Sequence, residues 1–205
     1  MQLLNAAGRQ LSFPEGLGGR ILGAVMDLAN RQPVGQALDL LAAAKGERVI
    51  DVGCGTGAAA QRLLRRAHCT MTCVDRSQTM LTRAQQRRYA GPISLEQAQL
   101  GELPFAPASF DAALALNLLY FCDEGGAMVA DLKRVLRPGG RMVAYVTHRA
   151  TMANWPFVSS ATHRLYDADQ LTEALAMGGF ARNRIMVHDY RVNRLVRGLL
   201  ALATA

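Results

Sequence analysis

The chain reads as an α/β protein, with a parallel sheet covered by helices on both faces. Three observations lead there. Short apolar segments of strand type alternate with segments of helical period, and a glycine-rich turn joins the first such strand to the helix after it. The third is composition, since 50% of the 205 residues are hydrophobic, enough for one domain with a substantial core. Taken in order, Ile21, Leu22, Val25 and Met26 predict a helix ending near Asn30, and Val34, Leu38 and Leu41 predict a second after Pro33. Strands are expected over 48–52, 70–74, 93–98, 110–116 and 141–147, with helices over 58–66, 78–89 and 125–136. Asp167, with Gln170 three residues later, forms a capping box for a helix over 168–177 that stops at Gly178-Gly179. Two last strands are expected over 184–189 and 198–203.

The turn carries the most chemistry. From Val49 to Gly57 the chain reads VIDVGCGTG, an apolar strand with one acid running into Gly53, Gly55 and Gly57. Glycines at this spacing let the backbone turn sharply and approach a ligand closely on both sides of Cys54, before a helix opens at Ala58. Such a loop serves a nucleotide cofactor. The same residues also read G-x-G-x-x-A, and Asp75 lies about twenty residues on, where a dinucleotide fold places its ribose acid. Asp51 separates the two readings, because a carboxylate just before the loop repels a pyrophosphate but favours an ammonium and a sulfonium. Charge therefore points to S-adenosyl-L-methionine rather than NAD.

Further motifs agree. Val74-Asp75-Arg76-Ser77 with Met80-Leu81, Leu103-Pro104-Phe105 with Phe110-Asp111, and Val135 to Arg141 reading VLRPGGR follow the glycine loop in order. Over nearly its whole length the chain resembles the class I (Rossmann-like) S-adenosylmethionine-dependent methyltransferases, and within them the small-molecule type similar to ubiquinone and menaquinone C-methyltransferases. The resemblance implies a seven-stranded, mostly parallel sheet whose last strand inserts antiparallel between its neighbours. It implies one domain over 1–205, with a helical lid over 1–45 carrying Pro14, Glu15, Gly16, Gly19, Arg20, Met26 and Asn30, and a cofactor-binding core over 46–205. It also implies methyl transfer to a small-molecule acceptor. RNA methylation and cofactor binding without turnover are the alternatives.

Among site residues the resemblance assigns the cofactor to Asp51, Gly53, Cys54, Gly55, Asp75, Arg76, Met80, Gln99, Leu100 and Asn117. Asp75 would accept the ribose hydroxyls. Gln99 stands where the family usually has an aspartate that accepts from the adenine amine; its amide oxygen can still accept, without the charge. Asn117 and Tyr120 form Asn-Leu-Leu-Tyr, half of the Asn-Pro-Pro-Tyr of amine methylases, and Tyr120 is a catalytic candidate on that ground. Methyl transfer from a sulfonium needs alignment and a dry site more than an acid or base. If the acceptor needs a base, His148 just past the fifth strand is the best-placed histidine, while Trp155, Phe157, His163 and Tyr166 are candidate walls of an acceptor pocket.

Composition bounds the partners. The formal charge is +7, yet the excess is spread along the chain, and Arg62, Arg65, Arg66, Arg83, Arg87 and Arg88 sit at helical spacing, as on solvated helix faces. Nucleic acid is not the expected partner. The apolar runs are too short to span a membrane and the first residues lack a signal pattern, so a soluble cytoplasmic protein is expected. Cys54, Cys69, Cys73 and Cys122 suit reduced thiols. Cys69 and Cys73 fall in an expected strand about 13 Å apart, too far for one tetrahedral ion, so no metal is expected. The oligomeric state is open.

Overall fold

A computed structural model describes residues 30–155, 158 and 163–205. Its strands are β1 (Arg48–Val52), β2 (Thr70–Asp75), β3 (Ile93–Gln97), β4 (Phe110–Leu116), β5 (Leu136–Thr147), β6 (Ile185–Arg191) and β7 (Arg197–Thr204). The helices are α1 (Arg31–Leu41), α2 (Ala58–Leu64), α3 (Gln78–Gln85), α4 (Ala127–Val135), α5 (Arg149–Met152) and α6 (Ala168–Met177). One sheet takes all seven strands in the order β3-β2-β1-β4-β5-β7-β6, and β7 runs antiparallel to both neighbours. The seven-stranded, mostly parallel architecture is thus as expected, including the inserted last strand.

Strand periodicity explains the two cores. Val49, Met71, Cys73, Ala112, Leu114, Val143 and Tyr145 point to one face and pack under α1, α2 and the Leu81 side of α3. Their neighbours Ile50, Val52, Val74, Ala113, Met142, Ala144 and Val146 point to the other and pack under α4 and α6. The capping box at Asp167 and Gln170 forms with both hydrogen bonds made. Ser77 caps α3 by accepting from the Met80 amide.

Two boundaries differ from the sequence reading by four residues or more. α3 ends at Gln85 rather than 89, because the chain must turn there for the Tyr89 hydroxyl to donate to Ala84 O at 2.8 Å. β5 begins at Leu136, not 141, since Leu136 already pairs with Phe110 and the Gly139 and Gly140 backbone bonds to Ala205. Pro138-Gly139-Gly140 is therefore an irregular strand entry rather than a free turn, and a Cβ on Gly140 would meet Arg137 O at 2.8 Å. α5 is an element the sequence did not suggest. The helix expected to end near Asn30, most of the lid segment and Phe157 lie outside the described residues.

The N-terminal ends of the strands are tied by charge. Arg141 reaches from β5 to Glu47 with two bonds of 2.8 Å and also donates to the Leu41 carbonyl at the end of α1. That leaves the opposite, carboxyl-terminal edge of the sheet as the side where loops can build a site.

Candidate active site

A cavity of about 410 Å³ opens at the carboxyl ends of β1, β2 and β4, with α1 along one side. Asp51, Gly53, Cys54, Gly55, Asp75, Arg76, Met80, Gln99, Leu100 and Asn117 all line it. Segments far apart in sequence meet there because parallel strands end level with one another.

The glycine loop folds back on β2. The amides of Gly53 and Cys54 both donate to Val74 O, at 2.8 and 3.0 Å, and the Gly55 amide donates to Asp75 Oδ2 at 2.8 Å. Asp75 Oδ1 accepts from the Ser77 amide at 2.8 Å. One carboxylate on the cavity lining so fixes both the loop and the start of α3. Burial raises the Asp75 pKa against the pull of those two amides. Gly55 and Gly57 both have positive φ, but for different ends: a Cβ on Gly57 would strike the Tyr89 hydroxyl, whereas one on Gly55 would meet none of the described residues within 4 Å.

Asp51 is the unusual group. It is 1% exposed, and its Oδ2 has no hydrogen-bond partner among the described residues. Burial, with the Asp75 charge second, pushes its carboxyl up to about 7. A buried carboxylate with an orphan oxygen at a cavity floor is satisfied by a cationic ligand. Beside it the Cys54 thiol is raised well above its ordinary pKa by its hydrogen bond to Cys73 and by burial.

The remaining wall is mixed. The Gln99 amide nitrogen donates to Glu102 Oε2 at 3.3 Å, which leaves the amide oxygen to accept. Leu100 is buried, and Asp131 holds this loop by accepting from the Gly101 and Leu103 amides at 3.0 and 2.9 Å. Asn117 adopts φ +56 and bridges outward, donating to Asn30 Oδ1 at 3.0 Å and accepting from the Tyr120 hydroxyl at 3.1 Å. Phe121, Leu118 and Met128 give an apolar side, with the Arg76 guanidinium 5.9 Å from the Phe121 ring centroid.

The two catalytic candidates are not brought to the cavity. Tyr120 is buried, with its pKa raised by burial, and its hydroxyl accepts from the Thr147 amide while donating to Asn117. It clamps the loop after β4 to the end of β5. His148 caps α5, its Nδ1 accepting from the Ala150 amide at 3.0 Å, while Nε2 faces Asp189 of β6 at 3.9 Å. His163 packs on Phe121 with ring centroids 5.1 Å apart, and burial lowers its pKa; Tyr166 is 1% exposed and donates to Leu119 O. Both belong to the packing behind Phe121. Among the described residues, no histidine lines the cavity.

Sequence reasoning passed over Arg31, Thr56, Gln61 and Phe121 and read Arg62 and Arg87 as solvated, yet all six line the cavity, as does Asn30 of the expected lid. Arg87, read as a solvated charge, instead donates to Thr56 O at 2.5 Å, to Thr56 Oγ1 at 2.9 Å and to Gln61 at 3.1 Å. Arg65, Arg66 and Arg88 are exposed, as expected. The signal available for Arg62 was its position one turn into the helix that follows the glycine loop.

This sheet order and loop define a Rossmann-like methyltransferase core. Residues 50–144 match the family model described as a methyltransferase domain. The chain is 34% identical over 151 residues to an O-methyltransferase (rstn1) of Aspergillus nomiae, covering 68% of this chain and 67% of that protein. It is 37% identical over 107 residues to the demethylmenaquinone methyltransferase of Tropheryma whipplei, covering 52% and 44%. An S-adenosylmethionine-dependent methyltransferase from Mesorhizobium loti has the same fold, with a TM-score of 0.66 at 21% identity over 83% of this chain and 96% of that one. The chain belongs to the S-adenosylmethionine-dependent methyltransferases. It spans about two-fifths to two-thirds of the length of the first curated relatives it matches. The site fits the family's cofactor, since the open space at Gly55 admits a ligand against the backbone and the orphan Asp51 oxygen calls for its cationic end.

Proposed function

We propose that this protein transfers the methyl group of S-adenosylmethionine to a small-molecule acceptor. The observation that carries the reading is the orphaned, buried Asp51 carboxylate at the floor of a cavity rimmed by the glycine loop and Asp75. Bound S-adenosylmethionine supplies an electrophilic methyl on a sulfonium. Asp75 accepts from the two ribose hydroxyls, Asp51 accepts from the ammonium, and the Gln99 oxygen accepts from the adenine amine. Leu100 and Met80 enclose the base, and Gly53, Cys54 and Gly55 offer it their backbone edge. Leu118, Phe121 and Met128 keep water from the reacting end, where alignment and desolvation do most of the work. The absence of a histidine from the described cavity wall suits that mode. Tyr120 and His148 support the framework.

In this reading residues 1–45 form the lid of a single domain, and Asn30 hydrogen-bonded to Asn117 is its hinge contact with the core. The acceptor is a small apolar molecule rather than nucleic acid, and the protein works in the cytoplasm. The described residues contain no helix long and apolar enough to cross a membrane.

The test is calorimetric titration with S-adenosylmethionine, S-adenosylhomocysteine and NADH, repeated with Asp75→Ala. Both adenosyl ligands bind, NADH does not, and the variant loses about 100-fold or more in affinity, because two charge-assisted hydrogen bonds and the loop's anchor go together. Binding of NADH in place of the adenosyl ligands would overturn the reading.

A further inference from the structure

The β6–β7 hairpin ends in a tip that the packing of this chain does not explain. Arg191 pairs with Arg197 and the Val192 amide donates to Val196 O at 2.8 Å, so Asn193, Arg194 and Leu195 form the apex. Asn193 Oδ1 accepts from the Leu195 and Val196 amides at 2.8 and 3.0 Å. The turn is prebuilt, because the asparagine side chain stands in for a backbone turn. Val192 beneath it is 9% exposed, whereas Leu195 is 87% exposed, more than any other large hydrophobic side chain among the described residues. Single surface leucines are ordinary, but this one is held out in water by a fixed turn.

Charge and position single out the same tip. Arg197 at its root pairs with Asp189 of β6, and residues 191–197 contain no acid of their own. Arg191 and Arg194 are exposed and form no ion pair among the described residues, so two free guanidiniums flank one leucine. The Arg197 amide donates to Thr151 Oγ1 at 3.1 Å, which ties the hairpin to α5. Gly198 pairs with Thr147, and the His148 amide donates to Arg197 O at 3.0 Å. The tip therefore projects beyond the carboxyl end of β5, on the same edge of the sheet as the cavity.

We infer that this tip docks the protein on an anionic lipid surface, with Leu195 entering the boundary between headgroups and acyl chains and Arg191 and Arg194 lying on lipid phosphates. A lone apex residue offers no flat area to a rigid protein partner, whereas a lipid surface deforms around it. Two arginines and one leucine make a weak, reversible contact, so the protein visits the surface rather than residing there. The contact is peripheral and needs no spanning segment. It brings the cavity's edge of the sheet to the bilayer, where an apolar acceptor concentrates. That last consequence rests on the proposed acceptor; the docking itself does not.

The experiment is co-sedimentation of the full chain with sucrose-loaded vesicles, made of phosphatidylcholine alone or mixed in equal parts with phosphatidylglycerol. Wild type partitions about 10- to 30-fold better onto the mixed vesicles, and added salt releases it. Arg191→Gln and Arg194→Gln each weaken that partition about 5-fold, and Leu195→Ser about 10-fold. All three side chains are exposed, so thermal midpoints stay at the wild-type value. Arg65→Gln removes an exposed arginine at the far end of α2 from the glycine loop and stays within about twofold of wild type. Equal partition onto both kinds of vesicle, none onto either, or an equal loss with Arg65→Gln would overturn the inference. So would losses in the arginine variants with Leu195→Ser unchanged, the mark of a plain polyanion contact such as an acidic protein or a nucleic acid makes. None of these residues lines the cavity, so titration with S-adenosylhomocysteine tests the cofactor reading separately.

Discussion

Replacing Asp51 by asparagine should make the ligand-free protein more stable and the ligand-binding protein worse. The carboxyl is 1% exposed and its pKa is raised from 3.8 to about 7, chiefly by burial. A group whose folded pKa lies above its unfolded one is protonated in both states below about pH 4 and costs nothing there. Its cost grows as the pH rises from about 4 to 7 and saturates above, reaching about 4 kcal/mol for a shift of roughly three units. Asparagine removes that pH-dependent cost, while its own buried amide adds a constant one of about 1–3 kcal/mol. The stability difference between variant and wild type should therefore change by about 2–3 kcal/mol between pH 5 and pH 8, in favour of the variant at the higher pH. Urea unfolding of both proteins at the two pH values, without ligand, measures it. Titration with S-adenosylhomocysteine at pH 8 should show the variant about 10- to 100-fold weaker, because the ammonium loses its counter-charge. A stability difference independent of pH would refute the reasoning, since it would mean that Asp51 is not held protonated by burial.

The two glycines after Asp51 should separate packing from ligand space. Gly57→Ala puts a Cβ 2.3 Å from the Tyr89 hydroxyl at φ +75 and should cost well over 2 kcal/mol in thermal unfolding. Gly55→Ala meets no atom of the described residues within 4 Å, so it should cost only about 1–2 kcal/mol of backbone strain yet weaken the adenosyl ligands more than Gly57→Ala does. Asp131→Ala leaves the Gly101 and Leu103 amides without their acceptor, while Arg134 keeps the Leu103 and Phe105 carbonyls, and should destabilise by about 2–3 kcal/mol as measured by denaturant midpoint. A loss under 1 kcal/mol there would mean that the Gln99–Leu103 loop is not held through α4.

Much of this molecule is written in local signals. Asp167 and Gln170 specify a helix start by themselves, because a capping box closes within four residues. The glycines of the loop are legible because only glycine tolerates both the φ values and the Tyr89 contact. Strand–helix alternation implies a parallel sheet, and so places every strand end that could carry a site on one edge. The ten expected cofactor residues consequently fall on one cavity. The inserted antiparallel β7 was legible only through resemblance, since an isolated apolar strand does not state its neighbours.

Other properties belong to the assembled fold. Tyr120 and His148 stand beside the site in sequence, but a residue at a strand end faces whatever its last hydrogen bond dictates: the Thr147 amide fixes one, and the α5 cap fixes the other. The start of β5 at Leu136 depended on Phe110 and Ala205, distant partners that no local pattern reveals. Arg62 and Arg87 look like any solvated helix arginines until α1 and the Thr56 loop close over them. Asp51 shows the division most sharply. Its place before the glycines is local and states which charge the ligand carries; its orphan oxygen and raised pKa arise only when β2, β4 and the loop exclude water around it, because desolvation is a property of everything that surrounds a group and not of the group itself.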